Sequence, residues 1–199
     1  MKKFIFGLLL LVVIGGGAFY VYRTHEAVKH VMSHEAMVDD LLKKEGLEND
    51  KSLVLAIIYE ETKGGSTDVM QSSESVTGKQ NDIDTQNLSL TIGVNHLTEM
   101  LNYAKAEGTD VWTGVQAYNF GKAYVDYIAK NGGKTSVKLA ETYSREVVAP
   151  SLGNKNGETY RYLTWESVFY NGGKLYKNGG NFFYVDEVKT KMQLLKWFN

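Results

Sequence analysis

The sequence predicts a mainly α protein with a small β component, and three observations carry that expectation. Apolar residues recur at three- and four-residue steps in successive segments after Thr24, the period of a helix face. Leu53 to Tyr59 is a nearly unbroken apolar run, suited to a helix at the centre of a domain. Residues 160–184, YRYLTWESVFYNGGKLYKNGGNFFY, break the pattern by mixing aromatics with two Asn-Gly-Gly turns, which predicts a short β-hairpin between Leu175 and Tyr184.

With 199 residues, 43% hydrophobic content and a formal net charge of −1, the chain suffices for one sizeable core and is read as a single domain. The near-neutral balance supplies no broad positive field, which argues against nucleic acid and against simple attraction to anionic lipid. Lys2 and Lys3 precede Phe4 to Tyr22, a stretch without a charged residue, just long enough for a helix to cross about 30 Å of hydrocarbon. Residues 1–22 are therefore expected to anchor the chain with its C-terminal part outside the cell. A cleaved signal peptide is the competing reading, since Gly16, Gly17 and Ala18 are small. The absence of cysteine fits either case and leaves packing to hold the fold.

Residues 23–45 read as a juxtamembrane helix, Thr24 to Lys44, ended by Gly46. His30 and His34 share one face there, but the spacing is not that of a zinc helix; a solvated helix without metal is expected. Asp50 or Ser52 suits the start of the next helix, Leu53 to Glu61. Thr62 to Leu88 turns polar, and a connection of this length points to a binding loop. Ser89 is expected to cap a third helix ending at Gly108, Asp110 to open DVWTGVQAYNF, and AYVDYIAKN to follow Gly121. A helix from Ser136 to Val148 is expected to end at Pro150, and the last runs from Val185 to Phe198.

The central helix ends in Glu60 and Glu61. A carboxyl at the C-terminal end of a buried helix is disfavoured as an anion by desolvation and by the terminal carbonyls. Such an acid stays partly protonated near neutral pH and suits protonation of a glycosidic oxygen. Periodicity leaves Glu60 and Glu61 equally eligible.

Glu61-Thr62, Met70-Gln71 and Ala117-Tyr118-Asn119-Phe120-Gly121 resemble the Glu-Ser, Gly-Leu-Met-Gln and Ala-Tyr-Asn-x-Gly motifs of lysozyme-like lytic transglycosylases and goose-type lysozymes. ETKGG, DVMQSSES, VQAYNFG and LYKNGGNFFY extend the likeness to the lysozyme-like domain of Gram-positive cell-wall hydrolases. The resemblance implies an α+β lysozyme-like domain over residues 46–199 with a cleft, and places Glu61 as the catalytic acid. It implies that Gln71, Ser72 and Ser73 line the cleft opposite, where an amide and two hydroxyls suit N-acetyl and hydroxyl groups, and that Tyr118 and Asn119 flank the reacting sugar. Asp68-Val69 departs from the family's Gly-Leu, and Asp68 is expected to add a charge near the cleft. With no cysteine in the chain, a cysteine peptidase activity is excluded.

A hydrolase needs a second carboxylate, for which Glu74 is the nearest candidate in the loop. A lytic transglycosylase needs Glu61 alone, first as acid and then as base toward the sugar's C6 hydroxyl. The expected function is cleavage of the N-acetylmuramic acid to N-acetylglucosamine bond in peptidoglycan strands, by a monomer needing neither cofactor nor metal and working at the membrane's outer face. The alternative is a non-catalytic surface protein that binds glycan or another partner.

Overall fold

The computed structural model describes residues 2–72 and 85–199 and is mainly helical with one two-stranded antiparallel sheet. These residues form two compact units, Met1–Ser89 with Lys191–Asn199, and Leu90–Thr190.

In the first unit α1 spans Lys2–Met32 and α2 Glu35–Glu45. The single helix expected over Thr24 to Lys44 is therefore broken at Ser33-His34. Ser33 Oγ donates to the His30 carbonyl at 2.6 Å, a bond that competes with the helical ladder. Nor is this region a solvated helix: Thr24, Ala27, Val28, Val31, Val38 and Leu42 are buried, and α1 and α2 both pack on α3, Lys51–Thr62. His34 is buried too, its Nε2 3.1 Å from the Gly64 carbonyl. Gly46 ends α2 in the left-handed region, as its sequence position suggests. A 3-10 turn, Glu48–Asp50, leads directly into α3, and Asp50 stands at its N-cap without a side-chain capping bond. Among the described residues no helix is long and apolar enough to cross a membrane.

All seven residues from Leu53 to Tyr59 in α3 are buried, so the central helix is enclosed on every side. It ends where Lys63 adopts a left-handed conformation and Gly64 follows at φ 72°. A Cβ on Gly64 would lie 2.9 Å from backbone atoms of His30 and Val31, closer than carbon atoms pack. Gly64→Ala is therefore expected to cost at least about 2 kcal/mol, against about 1 kcal/mol for Gly46→Ala, where only the left-handed conformation is penalised. Chemical denaturation of the two variants checks this; equal losses would remove the close approach as the cause.

The next helix, α4, spans Gln86–Ala106 and begins three residues before the expected cap. Ser89 lies inside it, fully buried. In the second unit, residues 90–106 of α4 are followed by α5, Val111–Phe120, and α6, Ala123–Lys130. Asp110 caps α5 through Thr113 N–H at 3.0 Å. Gly114 lets α5 approach α4, since its Cβ would sit 3.0 Å from Leu101 Cα. The core here is aromatic: Tyr124 meets Tyr143 edge-on at 5.1 Å and Phe120 at 5.2 Å.

Helix α7, Val137–Tyr143, does not stop at Pro150. It widens into a π turn, Ser144–Val148, and continues through Ala149–Ser151. A wider turn relieves the clash of a proline ring with the preceding carbonyls, and the helix ends one residue past the proline, close to the expected stop.

Strand β1, Thr159–Arg161, helix α8, Trp165–Asn171, and strand β2, Lys174–Tyr176, follow. The sheet pairs β1 with β2, in register Thr159↔Tyr176, Tyr160↔Leu175 and Arg161↔Lys174, so the hairpin expected over 175–184 is not formed. The first Asn-Gly-Gly ends α8, with Gly172 at φ 76° donating to the carbonyls of Ser167 and Val168. The second is a turn leading toward α9, Tyr184–Phe198.

Candidate active site

Within the first unit the end of α3 and the loop after it are tied together. Thr62 Oγ1 donates to the Val69 carbonyl at 2.8 Å, and Gln71 Nε2 to the Glu61 carbonyl at 3.0 Å. Gln71 is held with φ 45°, an unusual conformation for a residue with a side chain. Its amide thus sets the loop against the helix end, a role its expected contact with sugar did not anticipate.

Asp68 is not a charge exposed at a cleft. It is 1% exposed, and its Oδ1 accepts from Ser72 N–H at 2.9 Å, Ser72 Oγ at 3.3 Å and Ser89 Oγ at 2.6 Å. Ser89 Oγ lies 3.1 Å from Met70 N–H, which donates to it. Ser72 is itself buried, with its hydroxyl also 3.0 Å from the Ser89 carbonyl. Ser73 and Glu74 lie outside the described residues.

The two adjacent glutamates differ. Glu60 is paired with Lys191, Nζ 3.1 Å from a buried Oε2 in an ion pair without an aligned hydrogen bond. Glu61 is half-buried, one residue before the end of α3.

In the second unit Tyr118 and Asn119 sit in the last turn of α5. The Tyr118 ring stacks on Tyr184 at 6.3 Å with 18° between planes, and lies 5.1 Å from the ring of His96. Asn119 is exposed, and its Oδ1 accepts from Asn181 N–H at 2.9 Å, which orients the amide with its N–H donors on the other side. Asn181 is held in turn: its carbonyl accepts from buried Gln116 at 2.8 Å, and its Nδ2 donates to fully buried Glu187. A Cβ at Gly180 would meet Phe120 at 2.8 Å.

His96, Asn181, Tyr184 and Glu187 were not singled out from sequence. The one local signal is the Gly-Gly-Asn turn before Tyr184, which marks backbone brought close to another segment. Burial holds the His96 pKa below its ordinary value, against the opposing pull of Glu99 and the Tyr118 carbonyl. The native state then binds fewer protons than the unfolded one below about pH 6.5, so stability present above that pH is lost on acidification. Melting curves should fall more steeply below about pH 6.5 for the native sequence than for His96→Gln; equal slopes would remove His96 as the source.

A fully buried helix that ends against a hydrogen-bonded loop, followed along the chain by an aromatic-amide turn, is the arrangement that the lysozyme-like resemblance implies. The sequence profile of the lysozyme-like family matches residues 28–192, and the chain belongs to that family. It is similar to pneumococcal vaccine antigen A of Streptococcus pneumoniae serotype 4, 46% identical over 198 residues, covering 100% of this chain and 97% of that protein. A bifunctional muramidase/DL-endopeptidase of Bacillus subtilis is 35% identical over 130 residues, 65% of this chain and 39% of that protein. Among solved structures, a Staphylococcus aureus protein described as similar to a lipoprotein of the NLP/P60 family matches with TM-score 0.74 at 31% identity. That match covers 82% of this chain and 52% of the other, so this chain spans about half its length. The fold is that of cell-wall hydrolases.

Proposed function

We propose that the chain is a peptidoglycan glycosidase cleaving the β-1,4 bond between N-acetylmuramic acid and N-acetylglucosamine, with Glu61 as general acid. The observation that carries this reading is the placement of Glu61 at the end of α3, half-buried beside a loop that is fastened to its own carbonyl. A protonated carboxyl there donates to the glycosidic oxygen as the bond breaks. Asn119, with its oxygen fixed by Asn181, offers N–H donors to an acetyl carbonyl, and the Tyr118 ring offers a face to the sugar.

Two routes diverge after bond cleavage. In the lytic route the Glu61 carboxylate takes the proton of the sugar's own C6 hydroxyl, whose oxygen closes on C1 to give a 1,6-anhydro end. In the hydrolytic route Glu74 or another loop carboxylate activates water or attacks C1. The lytic route is favoured because it uses only groups at the end of α3. The word muramidase in the name of the Bacillus relative supports cleavage of this bond.

The apolar run Phe4 to Tyr22 is proposed to hold the chain in the membrane with the enzyme on the outer side. Leu9 to Ile14 and Phe19 to Tyr22 on α1 are exposed, apolar surface that lipid would cover. The deciding experiment is digestion of purified Gram-positive peptidoglycan with mass spectrometry of the fragments. Anhydro ends support the lytic route and reducing ends the hydrolytic one. Binding without fragment release from several wall chemistries would replace the reading by that of a glycan-binding protein.

A further inference from the structure

Around α8 the second unit carries an apolar face that the proposed reaction does not use. Leu163 is 66%, Trp165 68%, Val168 44% and Phe169 81% exposed. The face is rigidly built. Thr164 and Ser167 form a reciprocal cap at the start of α8, and Gly173 lies so close that its Cβ would be 2.7 Å from Leu163 and 3.6 Å from Val168. Trp165 and Phe169, one turn apart, stack at 6.0 Å with 17° between planes. Contiguous large side chains held in water mark a contact surface.

Its edge is basic. Arg161 and Lys174 are opposite each other in the β1–β2 register and both are exposed. Residues so placed project from the same side of a sheet, and like charges there repel. None of the acids near α8 pairs with them: Glu158 is bound to Lys177, while Glu166 and Glu141 accept from the hydroxyls of Thr190 and Tyr170 and keep their charge. Without an ion-pair partner among the described residues, the two cations are available to an external anion.

We propose that this face docks on the anionic surface of a lipid bilayer, with Trp165, Phe169 and their aliphatic neighbours entering the headgroup region and Arg161 and Lys174 meeting lipid phosphates. Trp at the interface beside basic side chains is the pattern lipid selects. A sugar would gain little from Leu163 and Val168. A symmetric contact with a second copy would bring the cation pairs together. The net charge of −1 gives no attraction overall, so the effect belongs to this face alone. The proposal draws on the anchor reading above, since a tethered chain needs only a weak second contact.

The test uses the full chain with Trp112→Phe and Trp197→Phe, leaving Trp165 as the reporter, reconstituted into vesicles of equimolar phosphatidylcholine and phosphatidylglycerol. Trp165 emission is expected to shift to the blue and to be quenched by brominated lipid. Arg161→Gln with Lys174→Gln should lower the ratio of docked to undocked protein by about thirtyfold, the worth of two interfacial cations, and leave digestion of dissolved glycan fragments unchanged. Trp165 emission that stays water-like in protein floating with the vesicles overturns the docking alone. So does shielding of Trp165 by added glycan, or by raised protein concentration without lipid. Protein that does not float with the vesicles overturns both docking and anchor, while the glycosidase reading stands or falls on fragment release.

Discussion

Replacing Glu61 by glutamine is expected to lower fragment release from peptidoglycan by about a thousandfold, within the range that a positioned general acid contributes, with little change in melting temperature. Glutamine matches the shape of the side chain but has no carboxyl proton to give. The bond that fixes the loop here, Gln71 Nε2 to the Glu61 carbonyl, belongs to the main chain and survives the substitution. Glu60→Gln should show the opposite pattern. It removes the carboxylate facing Lys191 and leaves that ammonium in a partly buried place, the two side chains being 13% and 21% exposed, at a cost of about 1–3 kcal/mol. Activity should persist. Turbidity clearing of wall suspensions together with thermal melts separates the two outcomes; loss of activity in Glu60→Gln and its retention in Glu61→Gln would move the acid by one residue.

That contrast also shows what a sequence can and cannot carry. An apolar run is a local property, and burial of Leu53 to Tyr59 was legible because any helix made of those residues must be enclosed. Gly46 and Asp110 were legible for the same reason, since a cap is decided by the residues beside it. Partners distant in sequence were not. Asp68 reads as a solvated loop charge until Ser89, 21 residues on, is known to donate to it. Ser89 reads as a helix cap because small hydroxyl residues favour that position, yet its hydroxyl is used inside the first turns of α4. Glu60 and Glu61 are inseparable by periodicity; the Glu61-Thr62 motif separates them by resemblance, while the placement of Glu60 against Lys191, far along the chain, is beyond the reach of any local pattern. The hairpin was misplaced because Asn-Gly-Gly suits both a turn and a helix C-terminus; Ser167 and Val168, whose carbonyls Gly172 satisfies, decide between them.

Asp68 should also give the largest loss of stability among single substitutions in the loop. Its Oδ1 receives three hydrogen bonds in a place where the residue is 1% exposed. Asp68→Ala would leave the Ser72 N–H without its acceptor and force the Ser89 hydroxyl to rotate, while the Ser72 hydroxyl keeps the Ser89 carbonyl. Bonds to a charged acceptor are worth about 1.5–3 kcal/mol each and do not add fully, so a loss of about 3 kcal/mol is expected. For a chain of this size each kcal/mol corresponds to about 2–4 °C, which puts the fall in melting temperature at about 6–12 °C. Asp68→Asn separates acceptor geometry from charge: an amide oxygen in place of Oδ1 keeps all three donors satisfied, and the loss should be about 1 kcal/mol. Fragment release should follow the same order, because Gln71 reaches the Glu61 carbonyl from the stretch that Asp68 closes onto Ser72. If both variants lose stability equally, the negative charge and not the oxygen is what the loop requires. If Asp68→Ala melts with the native protein, the serine–aspartate network does not hold the loop.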